Sequence, residues 1–148
     1  MTTIDAGETI IQEIAINAPA RRIFEALTDP DQRKAWWGAE GRFQTTHVES
    51  DLRVGGKWRM SGTGMGGPFT VAGEYLTVEP PWALAFTWLP SWQPNATKSL
   101  VRFDLNEKDG ITTVRVTHSG LTPEGAQAHS GWPQILGWLK AYAEPGRS

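Results

Sequence analysis

His118 and Ser119 adjoin each other, as do His129 and Ser130. A histidine beside a hydroxyl invites a nucleophile-and-base reading. No Gly-x-Ser-x-Gly elbow surrounds either serine, and no acid is placed to orient a base, so a serine hydrolase is not supported. The three histidines, His47, His118 and His129, lack the His-Glu-x-x-His spacing that sets two imidazoles on one helix face. The chain has no cysteine, which removes thiolate ligands and a thiol nucleophile as well. No metal is expected. Gly62-Thr63-Gly64-Met65-Gly66-Gly67 satisfies the letters of a dinucleotide fingerprint. That motif needs a following helix whose amides face the pyrophosphate, whereas Pro68 and a β-patterned run come next. No cofactor is expected, and the segment reads either as a plain hairpin loop whose glycines relax backbone constraints or as a loop at a pocket mouth with Met65 as its adaptable apolar tip.

What remains for chemistry is His118, Glu74 and an aromatic set. Eight tryptophans stand in 148 residues: Trp36, Trp37, Trp58, Trp82, Trp88, Trp92, Trp132 and Trp138. An aromatic side chain can bury roughly 150–250 Å², a gross ~4–6 kcal/mol at about 25 cal/mol/Å². Most of the eight must therefore lie in a core, a pocket wall or an interface. Trp82 and Trp92 fall near turns, where a homodimer contact is the alternative use. The formal net charge of −2 offers no basic face to phosphates, so nucleic acid is not an expected partner. The N-terminus Met1-Thr2-Thr3-Ile4-Asp5 has no basic, apolar leader, and no run approaches the ~20 apolar residues of a membrane span. No membrane contact is expected, and the setting reads as cytoplasmic.

The elements that must position these residues follow from pattern. Ile10, Ile14 and Ile16 alternate as on a half-buried strand, with Gln12 breaking the apolar row. Asn17-Ala18-Pro19 starts a helix with Asn17 as capping candidate, and Ile23, Phe24 and Leu27 continue at helical spacing. Thr28-Asp29-Pro30 opens a second, short helix to about Trp36. Strands are expected over Arg42–Glu49, Gly56–Ser61, Phe69–Val78, Ala83–Leu89, Lys98–Glu107 and Ile111–His118, with a tight hairpin at Asp109-Gly110. A final helix opens at Thr122-Pro123-Glu124 and runs to about Ala143, with a kink near Ser130 imposed by Gly131 and Pro133. The length suits one domain over residues 1–148, its core from about 8 to 143.

Alternation also assigns faces. Trp58 and Met60, Leu76 and Val78, Phe86 and Trp88, Val101 and Phe103, and Val116 and His118 should share one side of the sheet. Glu74 has the parity of Leu76, unless a bulge beside Gly73 turns it to solvent. His118 either presents an imidazole to a cavity or ties down the strand end.

Ala18-Pro19, Trp36-Trp37, Asp51-Leu52-Arg53-Val54-Gly55-Gly56, Glu79-Pro80-Pro81, His118-Ser119-Gly120-Leu121 and Gly131-Trp132 recur in an order and spacing that resemble a known family. This is the START-like, or SRPBCC, superfamily, and within it the bacterial domains similar to the C-terminal domain of the activator of Hsp90 ATPase. The resemblance runs from about residue 9 to residue 142. It implies an α+β helix-grip fold, in which a seven-stranded antiparallel sheet curves around the C-terminal helix and leaves a cavity between them. In that fold Trp37, Trp58, Met60, Leu76 and Phe86 would line the cavity together with Trp88, Phe103, His118, Trp132 and Leu136. An unfilled cavity of ~300 Å³ would cost roughly 7 kcal/mol, against a typical net stability of ~5–15 kcal/mol. The space should therefore be small, wet or filled by a ligand.

The superfamily includes carriers, sensors, cyclases, resistance proteins and co-chaperone domains, so the fold alone does not name the function. Few convergent charges are in sight, and the expected partner is a small, mostly apolar or aromatic molecule, bound without catalysis. One alternative is a cyclase-like enzyme in which His118 or Glu74 moves protons on a polyketide-like substrate. The other is a co-chaperone domain docking on an Hsp90-type chaperone.

Overall fold

A computed structural model of the chain describes residues 8–39, 43–64, 67–90, 99–121 and 132–144. In chain order the elements are β1 (Glu8–Ile16), α1 (Ala20–Thr28), α2 (Pro30–Trp36), β2 (Gly38–Ala39) and β3 (Phe43–Ser50). They continue with β4 (Lys57–Gly64), β5 (Gly67–Glu79), β6 (Ala83–Pro90), β7 (Ser99–Lys108), β8 (Ile111–Leu121) and α3 (Trp132–Ala143). One antiparallel sheet runs β1-β8-β7-β6-β5-β4-β3-β2. It is a meander from β2 to β8, with β1 closing on β8 at the far edge, and α1 and α2 carry the chain from one edge to the other. Seven full strands and the two-residue β2 make the helix-grip architecture, with α3 packed against β1, α1 and α2.

Local chemistry explains most of these elements. Asp109 and Gly110 both adopt positive φ, 54° and 80°, as a two-residue hairpin of matching twist demands, and Lys108 pairs with Ile111 across it. Pro30 occupies the first turn of α2, where Asp29 accepts a hydrogen bond from the Asp31 amide at 3.1 Å. At α1 the expected cap is not Asn17. The helix begins at Ala20, whose amide donates to a Glu107 carboxylate oxygen at 2.9 Å, so β7 supplies from afar what Asn17 does not supply locally. The expected start of the last helix at Thr122 and its kink near Ser130 lie outside the described residues.

The inner face of the sheet carries Trp58, Met60, Phe86, Trp88, Phe103, Val116 and His118, all buried. Leu76 does not join them. Tyr75 pairs with Phe86 and Thr77 with Ala85, so β5 advances two residues while β6 advances one. This bulge slips the alternation by one position. Tyr75 is fully buried and Leu76, expected inward, is 44% exposed. Glu74 also faces outward: it lies opposite Lys57, and the Lys57 ammonium donates to its carboxylate at 3.0 Å. The neighbouring Gly73 marks a close approach of β5 to β6, because a Cβ there would stand 1.8 Å from the Thr87 carbonyl oxygen.

Candidate functional site

The inner face and α3 enclose a continuous aromatic cluster. Trp37 follows α2, held in place where its carbonyl accepts the Thr45 hydroxyl at 2.7 Å. Its ring stacks on Trp88 of β6 at 6.0 Å and meets Trp132, the first residue of α3, edge-on at 6.0 Å. Trp58 of β4 is edge-on to Phe86 at 5.1 Å and tilted against Trp88 at 5.8 Å. Phe103 of β7 meets Trp132 edge-on at 5.9 Å. Tilted and edge-on contacts of this kind set the positive edge of one ring against the negative face of the next.

Among these rings runs a buried hydrogen-bond chain. The Trp132 indole N–H donates to His118 Nδ1 at 3.1 Å, and His118 Nε2 lies 2.7 Å from the Ser99 hydroxyl. An indole nitrogen can only donate, so Nδ1 must accept and the imidazole carries its proton on Nε2. His118 then donates to Ser99, whose hydroxyl reaches the Trp88 carbonyl at 3.4 Å. The chain ties α3, β8, β7 and β6 together at one point. A second proton on His118 would set Nδ1–H against the indole N–H.

The residue that the sequence reading missed is Arg33. It is 2% exposed, and its guanidinium carbon lies 4.9 Å from the Trp37 and Trp58 ring centroids and 5.5 Å from that of Phe86. Its Nε has no hydrogen-bond partner, and the guanidinium makes no ion pair with any described carboxylate. Burial lowers its proton affinity from the usual arginine range, with Tyr75 opposing. Desolvating an unpaired ion costs several kcal/mol, and cation–π contacts return up to about 2 kcal/mol each when desolvated. The rings offset much of that cost and leave the donor unmet. The Trp58 indole N–H is a second buried donor without a partner. The few convergent charges expected from the sequence thus include one unpaired cation inside the aromatic wall. The available signal was spacing: Arg33 precedes Trp36 and Trp37 by three and four residues, which sets it on their side of α2.

The family model for activator of Hsp90 ATPase homolog 1-like proteins matches residues 17–144. The chain belongs to this family. Its fold is shared with Ms6760 from Mycobacterium smegmatis, at 22% identity and a TM-score of 0.80 over 98% of this chain and 99% of that one. CalU16 from Micromonospora echinospora is 25% identical, with a TM-score of 0.71 over 93% of this chain and 76% of its own. DynU16, a protein of the dynemicin biosynthetic locus, is 27% identical, with a TM-score of 0.74 over 93% of this chain and 48% of its own. Comparison with curated proteins finds no match.

Within this family's fold, Trp37, Trp58, Met60, Phe86, Trp88, Phe103, His118, Trp132 and Leu136 all belong to the buried interior, and Leu76 stands on the opposite face of the sheet. Trp82 is 52% exposed at the β5–β6 turn. Trp92, Met65 and His129 lie outside the described residues. No three His, Asp or Glu side chains among the described residues are grouped to hold a metal ion. No helix among them is long and apolar enough to cross a membrane.

Proposed function

We propose that the protein binds a small hydrophobic or aromatic molecule between the inner face of the sheet and α3, without transforming it. The observation that carries this reading is the composition of the wall. Aliphatic packing would suffice to stabilise a sheet against a helix, yet six indole and phenyl rings from three strands and two helical segments converge here. Two buried donors among them, Arg33 Nε and Trp58 Nε1, have no acceptor of their own. A mostly apolar wall with a few polar groups is the usual make-up of a small-molecule site.

The cyclase-like reading draws on DynU16, which comes from a biosynthetic locus. It has lost Glu74 to the outer face and would depend on His118, whose two ring nitrogens already serve Trp132 and Ser99. The co-chaperone reading draws on the family name alone. Noncatalytic binding is therefore preferred.

The test is titration with the neutral probe N-phenyl-1-naphthylamine, followed by tryptophan fluorescence and by calorimetry. A saturable change with one site per chain is expected, because the wall itself fluoresces. A flat response in both measurements, with this probe and with its 8-sulfonate alike, overturns the reading.

A further inference from the structure

We propose that Arg33 recognises a negatively charged oxygen group on the bound molecule, so that the ligand is an acidic aromatic compound: a carboxylate, sulfonate or ionised phenol on a ring system. The inference rests on the binding reading above and names its ligand class. The rings of Trp37, Trp58 and Phe86 lie against the guanidinium, and its donors radiate in its own plane. What such a group lacks is an acceptor in that plane. A planar anionic oxygen pair fits the guanidinium fork in two parallel hydrogen bonds.

The described residues supply no such acceptor. The carboxylates of Glu13, Glu49, Glu74, Asp104 and Glu144 are each engaged with a lysine, arginine or histidine elsewhere. The nearby Tyr75 hydroxyl is paired with Ser50 at 2.7 Å. A buried donor without a partner calls for an explanation, and a bound acceptor is one. The same rings that neighbour Arg33 would stack on the aromatic part of the ligand, so charge recognition and apolar recognition occupy one place.

The experiment compares two probes that differ by one anionic group, N-phenyl-1-naphthylamine and its 8-sulfonate, each titrated calorimetrically into the intact protein. Wild type should bind the sulfonate about tenfold to hundredfold more tightly, the factor a charge-assisted hydrogen bond carries. Arg33→Met should abolish that preference, read as the ratio of the two affinities within the variant. Arg33→Lys, which retains the charge without the fork, should keep only part of it, and it serves where Arg33→Met fails to fold by circular dichroism. Equal affinity of wild type for the two probes overturns the inference whatever the variants do, as does a preference undiminished in Arg33→Met. Binding of the neutral probe in those cases leaves the binding reading standing; if neither probe binds wild type, that reading falls with the inference.

Discussion

The two faces of the sheet treat charge in opposite ways. On the outer face charged side chains meet in pairs: Lys57 with Glu74 at 3.0 Å, Arg102 with Asp104 at 3.0 Å, Arg115 with Glu13 at 2.6 Å, and His47 with Glu49 at 2.7 Å. These pairs sit in water, where an ion pair contributes about 0–1 kcal/mol. Against the inner face Arg33 has rings for neighbours and no counter-charge among the described residues, although unpaired burial costs most there. Charge is thus neutralised where neutralisation matters little and left open where it matters much. A fold selected for stability alone would do the reverse, so the inner arrangement points to use.

The largest effect should come from removing an inner ring. Trp132→Ala deletes a side chain that packs against Trp37, Trp88 and Phe103 and leaves His118 Nδ1 without its donor. Equilibrium unfolding in urea should show a loss of about 3–5 kcal/mol. A loss below about 1 kcal/mol, the range of a surface pair, would erase the contrast between the faces.

Arg33→Met should move stability the other way. The substitution keeps an apolar stem and adds sulfur contacts to the rings while removing an unpaired buried cation. A gain of about 1–2 kcal/mol is expected, on the precedent of buried charges replaced by apolar groups. Burial lowers the proton affinity of Arg33, so the folded state would be relieved only as pH rises to the folded-state value. An arginine stays protonated far above neutrality, and the gain should therefore be constant from about pH 6 to pH 9. A loss of stability would mean that the ring contacts outweigh desolvation, and the inner cation would then be a structural strut.

Much of this was legible in the residues. Alternation placed Trp58, Phe86, Trp88, Phe103 and His118 on one face because β4, β6, β7 and β8 keep their period where it was read. Leu76 was misplaced because a bulge adds a residue without changing composition, so nothing in the run Glu74-Tyr75-Leu76 marks where the phase slips. The α1 cap was misassigned because Glu107, its acceptor, lies far along the chain in β7. Arg33 escaped notice for another reason: an arginine in a short polar helix ordinarily faces water, and only its packing against strands distant in sequence puts it inside. Fold follows from local pattern, and the site depends on which distant patterns meet.

The smallest effect tests the outer face on its own terms. The hydrogen bond and charge of His47 hold the Glu49 carboxyl below its usual range, with a lesser pull from Arg59. A carboxylate so depressed stabilises the fold above its unfolded pKa, and that contribution disappears as pH falls through the lower folded value. In His47→Ala the Glu49 titration followed by NMR should therefore move up toward an ordinary glutamate. Both partners are exposed, so the melting temperature at neutral pH should stay within error of wild type. An upward shift of Glu49 together with a clear drop in melting temperature would show that the outer pairs are structural after all. The inner face would then lose its claim to be where the molecule places its consequential charge.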